Sequence, residues 1–167
     1  MKKLIMAVML LSTALVQPTV AQTGDQQLNN VLTHYLAVKN DLTKDNGDSV
    51  QAAAKILLAS IESMPMDKLT TEQHTIWMKY SGKLSSDARH IKETGNIDQQ
   101  RKYFASLSTN MYKVLKELKF NDIDLYYQYC PMVQNYWISE KSGVVNPYLG
   151  SKMSSCGQTK ETLKTNK

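Results

Sequence analysis

Four sulfur-bearing residues near the C-terminal end of the sequence have the types and spacing of a soft-metal site. One residue separates Cys130 from Met132, and Met153 precedes Cys156 by three positions. In extended chain, residues two apart point to the same side, and on one helical turn residues three apart do so. If the chain folds back between the two pairs, two thiols and two thioethers meet, and such soft ligands select Cu(I). Zinc fits less well, because its usual protein ligands are Cys, His and carboxylates.

The same cysteines also fit a disulfide, which is the more common state of two Cys in an exported protein. A Cys130–Cys156 bridge would close a loop of about 26 residues and stabilise the fold by ~3.5 kcal/mol. A reducible bridge would alternate between an oxidised locked form and a reduced form that binds a soft metal. The sequence therefore leaves both interpretations open.

Other chemistries lack their sequence signatures. The chain has no phosphate-cradling Gly loop, no paired-histidine metalloprotease motif and no Gly-flanked nucleophilic serine. A Cys130 nucleophile is disfavoured, because a proline follows it and no basic cluster is placed to lower its pKa. We therefore expect a protein without catalytic residues.

His74 and His90 would lie ~24 Å apart on one helix, so at most one of them joins a metal site. Spacing alone does not choose between these two histidines and His34.

Composition and the first residues indicate a small exported domain. The 167 residues contain 20 Lys and Arg against 15 Asp and Glu, and the basic residues are dispersed, which argues against nucleic acid as a partner. Lys2 and Lys3 precede an apolar run from Leu4 to Val16, and the segment ends in Thr19-Val20-Ala21, with small residues at the first and third of these positions. This pattern predicts a cleaved signal peptide and a periplasmic product, and the run is too short to span a membrane.

Apolar residues recur at intervals of three and four over four segments, which predicts helices at about 26–43, 49–62, 71–95 and 97–119. From Phe120 the period changes, and Pro131 and Pro147 exclude a long helix. We therefore predict an all-α fold, an antiparallel four-helix bundle with an irregular, partly extended C-terminal tail rich in Cys, Met and aromatic residues packed on it. The expected organisation is a signal peptide (1–21), the bundle (22–119), the tail within the same domain (120–157) and a polar, flexible C terminus (158–167).

The tail carries an ordered string of motifs that resembles a bacterial family. The motifs are Tyr127-Gln128-Tyr129-Cys130-Pro131-Met132, Trp137-Ile138-Ser139, Asn146-Pro147-Tyr148, Gly150-Ser151-Lys152-Met153 and Cys156-Gly157. The chain resembles, from about Leu28 to Gly157, a periplasmic domain of unknown function that occurs alone or appended to adaptor proteins of copper and silver efflux systems. Copper binding is commonly attributed to that family.

The resemblance implies a metal site made of Cys130, Met132, Met153 and Cys156. It also implies a role for His90, since Arg89-His90-Ile91 resembles the family pattern within the helices. On this basis we expect a non-enzymatic periplasmic domain that binds Cu(I) and works with an efflux adaptor or another periplasmic protein. The alternative is a metal-free helical interaction module stapled by a Cys130–Cys156 disulfide.

Overall fold

Four helices followed by three strands make up the fold, in a computed structural model that describes residues 23–165. The predicted signal peptide, residues 1–21, lies outside the described residues. Within residues 23–165, no helix has the length and apolar character needed to cross a membrane. The elements are α1 (Gly24–Leu42), α2 (Gly47–Glu62), α3 (Thr71–Glu93), α4 (Ile97–Leu118), β1 (Leu125–Cys130), β2 (Asn135–Ser139) and β3 (Gln158–Leu163).

Each helix begins at a polar residue whose side chain accepts a hydrogen bond from the first turn. Thr23 and Thr70 form complete capping boxes with the Gln three residues later. Asn46 and Asn96 cap α2 and α4 by accepting backbone N–H groups of the first turn. Local sequence therefore sets where the helices start, and the breaks between them are short.

The helices pack antiparallel in chain order, and their apolar stripes form the core. α2 lies between α1 and α3, and α4 packs against α3. α1 meets α4 over a short stretch only, because β2 packs against both helices. The helices therefore bury one side of their core against each other and another against the sheet. The largest fully buried side chains of the core include Trp77, Tyr35, Phe104 and Trp137.

The C-terminal region forms an antiparallel sheet in the order β2-β1-β3. β1 and β2 form a hairpin in which Gln128 lies opposite Trp137 and Cys130 opposite Asn135. β3 pairs with the other edge of β1, with Tyr129 opposite Gln158. β1 is thus the central strand, and its last residue is Cys130.

The predicted all-α class is therefore wrong, since the tail is a three-stranded sheet and not an irregular extension. The alternation around Tyr127 and Tyr129 indicates β1, but pairing with distant segments decides whether a sheet forms. Residues Gln158–Leu163, which we expected in a flexible C terminus, are β3. Their polar character fits an edge strand, where charged residues face solvent and limit further pairing.

Two buried polar links join the helices to the sheet. The Tyr35 hydroxyl on α1 is hydrogen-bonded to Ser108 on α4 and accepts the backbone N–H of Ile138 on β2 at 3.1 Å. Lys39 on α1, only 2% exposed, donates to the Glu140 carboxylate at 2.8 Å. These contacts fix the position of β2 on the helices. Because β2 pairs with β1, they also position Cys130, the last residue of β1.

Candidate functional site

The sheet register brings the two cysteines together. Cys130 is the last residue of β1 and is fully buried. Because Gln158 pairs with Tyr129, the chain just before β3 passes next to the end of β1, and Cys156 lies there. The Sγ atoms of Cys130 and Cys156 are 2.8 Å apart, and both cysteines are free thiols.

Backbone amides of the β-hairpin turn point at the Cys130 sulfur. The N–H groups of Met132 and Val133 donate to it, and the Met132 N–H also reaches Cys156. Pro131 has no N–H, so the amides nearest to the sulfur in sequence are those of the next two residues. Amide donors favour the charged form of a thiol over the neutral form.

The two thiols have opposite pKa shifts. Burial alone would raise the pKa of Cys130, but hydrogen bonds from the Cys156 thiol and from the two backbone amides outweigh it and hold that pKa below its ordinary value. Donating its own hydrogen to Cys130 raises the pKa of Cys156. Because the two thiols share a hydrogen bond, their protons leave in two steps that belong to the pair as a whole.

A turn centred on Asn146 carries the second half of the site. Its Oδ1 atom accepts the backbone N–H groups of Tyr148 at 2.8 Å and Leu149 at 3.1 Å. This is the local chemistry by which Asn initiates turns. Its Nδ2 atom donates to the carbonyl of Cys156 at 2.7 Å, so the turn is tied directly to the second thiol-bearing residue.

An ion pair between Asp45, in the connection from α1 to α2, and Arg101 on α4 holds residues 147–151 on the helices. Arg101 on α4 is paired with Asp45 and also donates to the Pro147 carbonyl at 2.9 Å. Asp45 in turn accepts the backbone N–H of Ser151 at 2.9 Å. These bonds lower the pKa of Asp45 to about 2, the Ser151 hydrogen bonds contributing most and those from Arg101 next. Residues 147–151 are therefore anchored to the helical region.

Two glycines are required where this loop turns. Gly150 has φ of +53°, a left-handed conformation, and lies against Asp45 and Arg101. Gly157 has φ of +147°, and a Cβ there would lie 2.8 Å from the Trp137 ring. The glycine after Cys156 thus lets the chain cross closely over β2 before entering β3.

The two predicted methionine ligands lie next to the thiols through their backbone, with their side chains in solvent. Met132 is 63% exposed and Met153 is 42% exposed, whereas Met64 and Met111 are buried in the core. The carbonyl of Met153 accepts the backbone N–H of Cys156 at 3.2 Å. Neither thioether is used to fill the core.

His90 lies elsewhere, on the outer surface between α3 and α4. Its ring stacks on Tyr103 with 4.5 Å between centroids, and its side chain is 47% exposed. Among residues 23–165, no three His, Cys, Asp or Glu side chains lie close enough to hold one metal ion. The structure therefore brings Cys130 and Cys156 together and does not bring His90 to them.

Stacked tyrosines cover the sheet beside the site. Tyr127 stacks between Tyr112 of α4, at 3.7 Å between centroids, and Tyr136 of β2, at 4.8 Å, and Tyr129 packs on Tyr136. Burial raises the pKa of Tyr127 to about 12, with Tyr136 adding to the effect. These aromatic residues of the tail are therefore packing residues that join β1 and β2 to α4.

The sequence pointed to the thiols but not to the residues that position them. Asn146 belongs to a motif with a family resemblance, yet its residue type alone assigns it no contact, and neither does that of Arg101. The available signals were an Asn before Pro147, which favours a turn, and a Gly four residues further on. The partner of that turn, Asp45, lies about a hundred residues away in sequence and follows only from the tertiary fold.

A family model described as a protein of unknown function (DUF3347) matches residues 31–122. The matched region covers most of α1 and all of α2, α3 and α4, and it ends before β1, so both cysteines follow it. No curated protein and no solved structure matches the chain.

Proposed function

We propose, for a chain that belongs to the DUF3347 family of proteins of unknown function, that Cys130 and Cys156 bind Cu(I) as cargo. The protein would act in the periplasm, handing the ion to a heavy-metal efflux assembly or sensing it there. The observation that carries the proposal is the meeting of two thiols beneath backbone N–H groups at the end of β1. Thiolates are soft ligands and favour Cu(I) over harder ions.

The geometry of the pair supports a two-sulfur site that opens to admit the ion. With metal–sulfur bonds of ~2.3 Å, an ion in line between two sulfurs needs them about 4.6 Å apart, well beyond the present 2.8 Å. Cys130 is fixed in the core at the end of a central strand, whereas Cys156 is only partly buried in a loop. Cys156 is therefore the ligand that moves outwards when the ion enters.

The exposed thioethers of Met132 and Met153 are the natural additional ligands, since each flanks one of the thiols. Methionine sulfur is selective for Cu(I) in the same way as thiolate, and an exposed side chain reaches the ion without disturbing the core. His90 is left outside the proposed site, because it stacks on Tyr103 away from the thiols.

Anaerobic titration of the reduced protein with Cu(I), in competition with a chromophoric chelator, tests the proposal. We expect one ion per chain, and at least about a hundredfold weaker binding by the Cys130→Ser, Cys156→Ser double variant, since its ligands are no longer thiolates. Equal binding by the wild type and the double variant would remove the proposal.

Methionine variants define the outer ligands. Met132→Leu and Met153→Leu are each expected to weaken Cu(I) binding by about tenfold, because a soft ligand is lost while size and apolarity are retained. Met78→Leu is the matched control, since Met78 is as exposed but lies on α3. His90→Ala is expected to leave the affinity unchanged, and a weaker affinity would return His90 to the ligand set.

A second candidate function follows from the same 2.8 Å separation, which also suits two thiols about to form a disulfide. In that case the protein is a metal-free helical interaction module stapled at Cys130 and Cys156, with a stabilisation of ~3.5 kcal/mol from loop closure. Alkylation of protein isolated without reductant separates the two. Labelling of neither thiol, together with no Cu(I) binding after reduction, would favour the stapled module.

A further inference from the structure

Asn146 is fully buried, and its polar groups bind both ends of the loop that carries Cys156. Besides its contacts with Tyr148 and Leu149, its backbone N–H donates to the Ser154 carbonyl at 2.7 Å. Its Nδ2 atom then donates to the Cys156 carbonyl at 2.7 Å. One residue therefore closes the loop at its far end as well as at its start.

The bond from Asn146 is the non-local link of Cys156 to the rest of this loop. The other backbone bond of Cys156, from its N–H to the Met153 carbonyl, spans one turn and fixes only local shape. Regular pairing with β1 begins two residues later, at Gln158. The register of β3 brings Cys156 to the end of β1, and the Asn146 amide holds its backbone there.

We propose that Asn146 is the positioning residue of the thiol pair, holding the Cys156 segment against Cys130 in the absence of metal. The proposal rests on the proposed function, in that it concerns the same two thiols. A primary amide has two N–H donors. One of them is used by the Cys156 carbonyl. A carboxylate at this position has no donor and would face the Cys156 carbonyl with a second acceptor.

Asn121 provides a matched control for this change. It is also buried, and its Nδ2 atom donates to the carbonyls of Ile123, Leu163 and Lys164. It lies at the opposite end of β1 from Cys130, where Leu125 pairs with Leu163. Asn121→Asp therefore removes a similar set of buried hydrogen bonds without touching the thiol pair.

The test is the equilibrium of the full chain with mixtures of reduced and oxidised glutathione. When the Cys130–Cys156 bond forms, the two thiols release two protons and two electrons, and one oxidised glutathione takes them up to give two reduced molecules. The readout is the fraction of bridged protein, measured by alkylation and mass spectrometry. We expect Asn146→Asp to lower the equilibrium constant about tenfold, because the two segments are no longer held together in the reduced form.

Asn121→Asp is expected to lower the melting temperature but to leave the glutathione equilibrium within about twofold of the wild type. If Asn146→Asp shows no cooperative melting, Asn146→Ser decides, since its hydroxyl still caps a turn but is too short to reach the Cys156 carbonyl. A constant within about twofold of the wild type in a folded Asn146 variant would overturn the proposal.

These mixtures contain no copper, which separates the two hypotheses. A failed Cu(I) titration leaves the glutathione result standing and removes only the proposed function. An unchanged glutathione constant removes the role of Asn146 and leaves Cu(I) binding as it was measured.

Discussion

The helical region and the C-terminal sheet are stabilised in different ways. In the helices, apolar stripes supply the core, and each helix begins at its own local cap. In the sheet region, a few buried polar side chains each hold several backbone groups: Asn146 binds one loop, Asn121 joins β3 to the start of β1, and Gln128 donates to the carbonyls of Lys141 and Ser142.

The difference matters because the thiols lie in the second region. Apolar burial is distributed and non-directional, so a change in the helical core lowers stability without redirecting a loop. A buried hydrogen bond is directional, and removing one partner leaves the other unsatisfied and free to move. We therefore expect substitutions in the sheet region to alter both stability and the thiol pair, and those of apolar residues in the helical core to alter stability alone.

The largest expected effect compares the two buried tryptophans. Trp77→Ala in α3 and Trp137→Ala in β2 should each lower the free energy of unfolding by about 3–5 kcal/mol, measured in urea. Only Trp137→Ala should also change the glutathione equilibrium, because its ring packs on Gly157 next to Cys156. A similar change of that equilibrium in Trp77→Ala would contradict the contrast.

The ion pair between the two regions gives the next effect. Glu140→Ala leaves the buried ammonium of Lys39 without its partner and should cost about 3 kcal/mol. Burial lowers the pKa of Lys39, so the variant should recover part of its stability as the pH is raised and the lysine loses its charge more readily than in the unfolded chain. The double variant Lys39→Met, Glu140→Leu should unfold within about 1 kcal/mol of the wild type, and a loss as large as that of Glu140→Ala would contradict this account.

Two glycines should respond with opposite signs. Gly150→Ala places a side chain in the left-handed region and against Asp45, so the free energy of unfolding should fall by about 2 kcal/mol. Gly82→Ala, on the outside of α3 with open space around it, should raise it by about 0.5–1 kcal/mol. Urea unfolding of both variants measures the two changes in the free energy of unfolding, and changes of the same sign would contradict this expectation.

The smallest effect concerns the Asp45 anchor. Its folded pKa of about 2 is below the ordinary 3.8, so its contribution is present above about pH 4 and is lost as the pH falls towards 2. Because the carboxylate is partly exposed, we expect Asp45→Asn to cost no more than about 1 kcal/mol at pH 7. The difference in the free energy of unfolding between wild type and variant should shrink between pH 4 and pH 2. A difference that stays constant would show that the ionised Asp45 carboxylate does not cause it.

The helices were predictable because their signals are local. Recurring apolar residues and the Asn96 and Thr70 caps lie within a few positions of the elements they define. The sheet was not, because β3 is polar and acquires its structure by pairing with β1, thirty residues earlier. Alternation in β1 was visible in the sequence, but alternation alone does not tell which segments will pair with it.

The candidate site was predictable only in part, for the same reason. Sequence spacing singled out Cys130 and Cys156, and the register of β3 brings them together. Whether Met132 and Met153 are buried or exposed depends on which surface the loops leave uncovered, and their residue type does not determine this. The Asp45 and Asn146 contacts depend on chain segments that meet only in the folded protein.

The central position of β1 has a consequence for how the protein is made. A ribosome releases Cys130 well before Cys156 and β3, so during synthesis the first thiol waits beside an unpaired strand edge. The hairpin with β2 can form early, but the second thiol arrives only with the last strand. The site is therefore completed only once β3 has been synthesised, later than the four helices, which precede it in the chain.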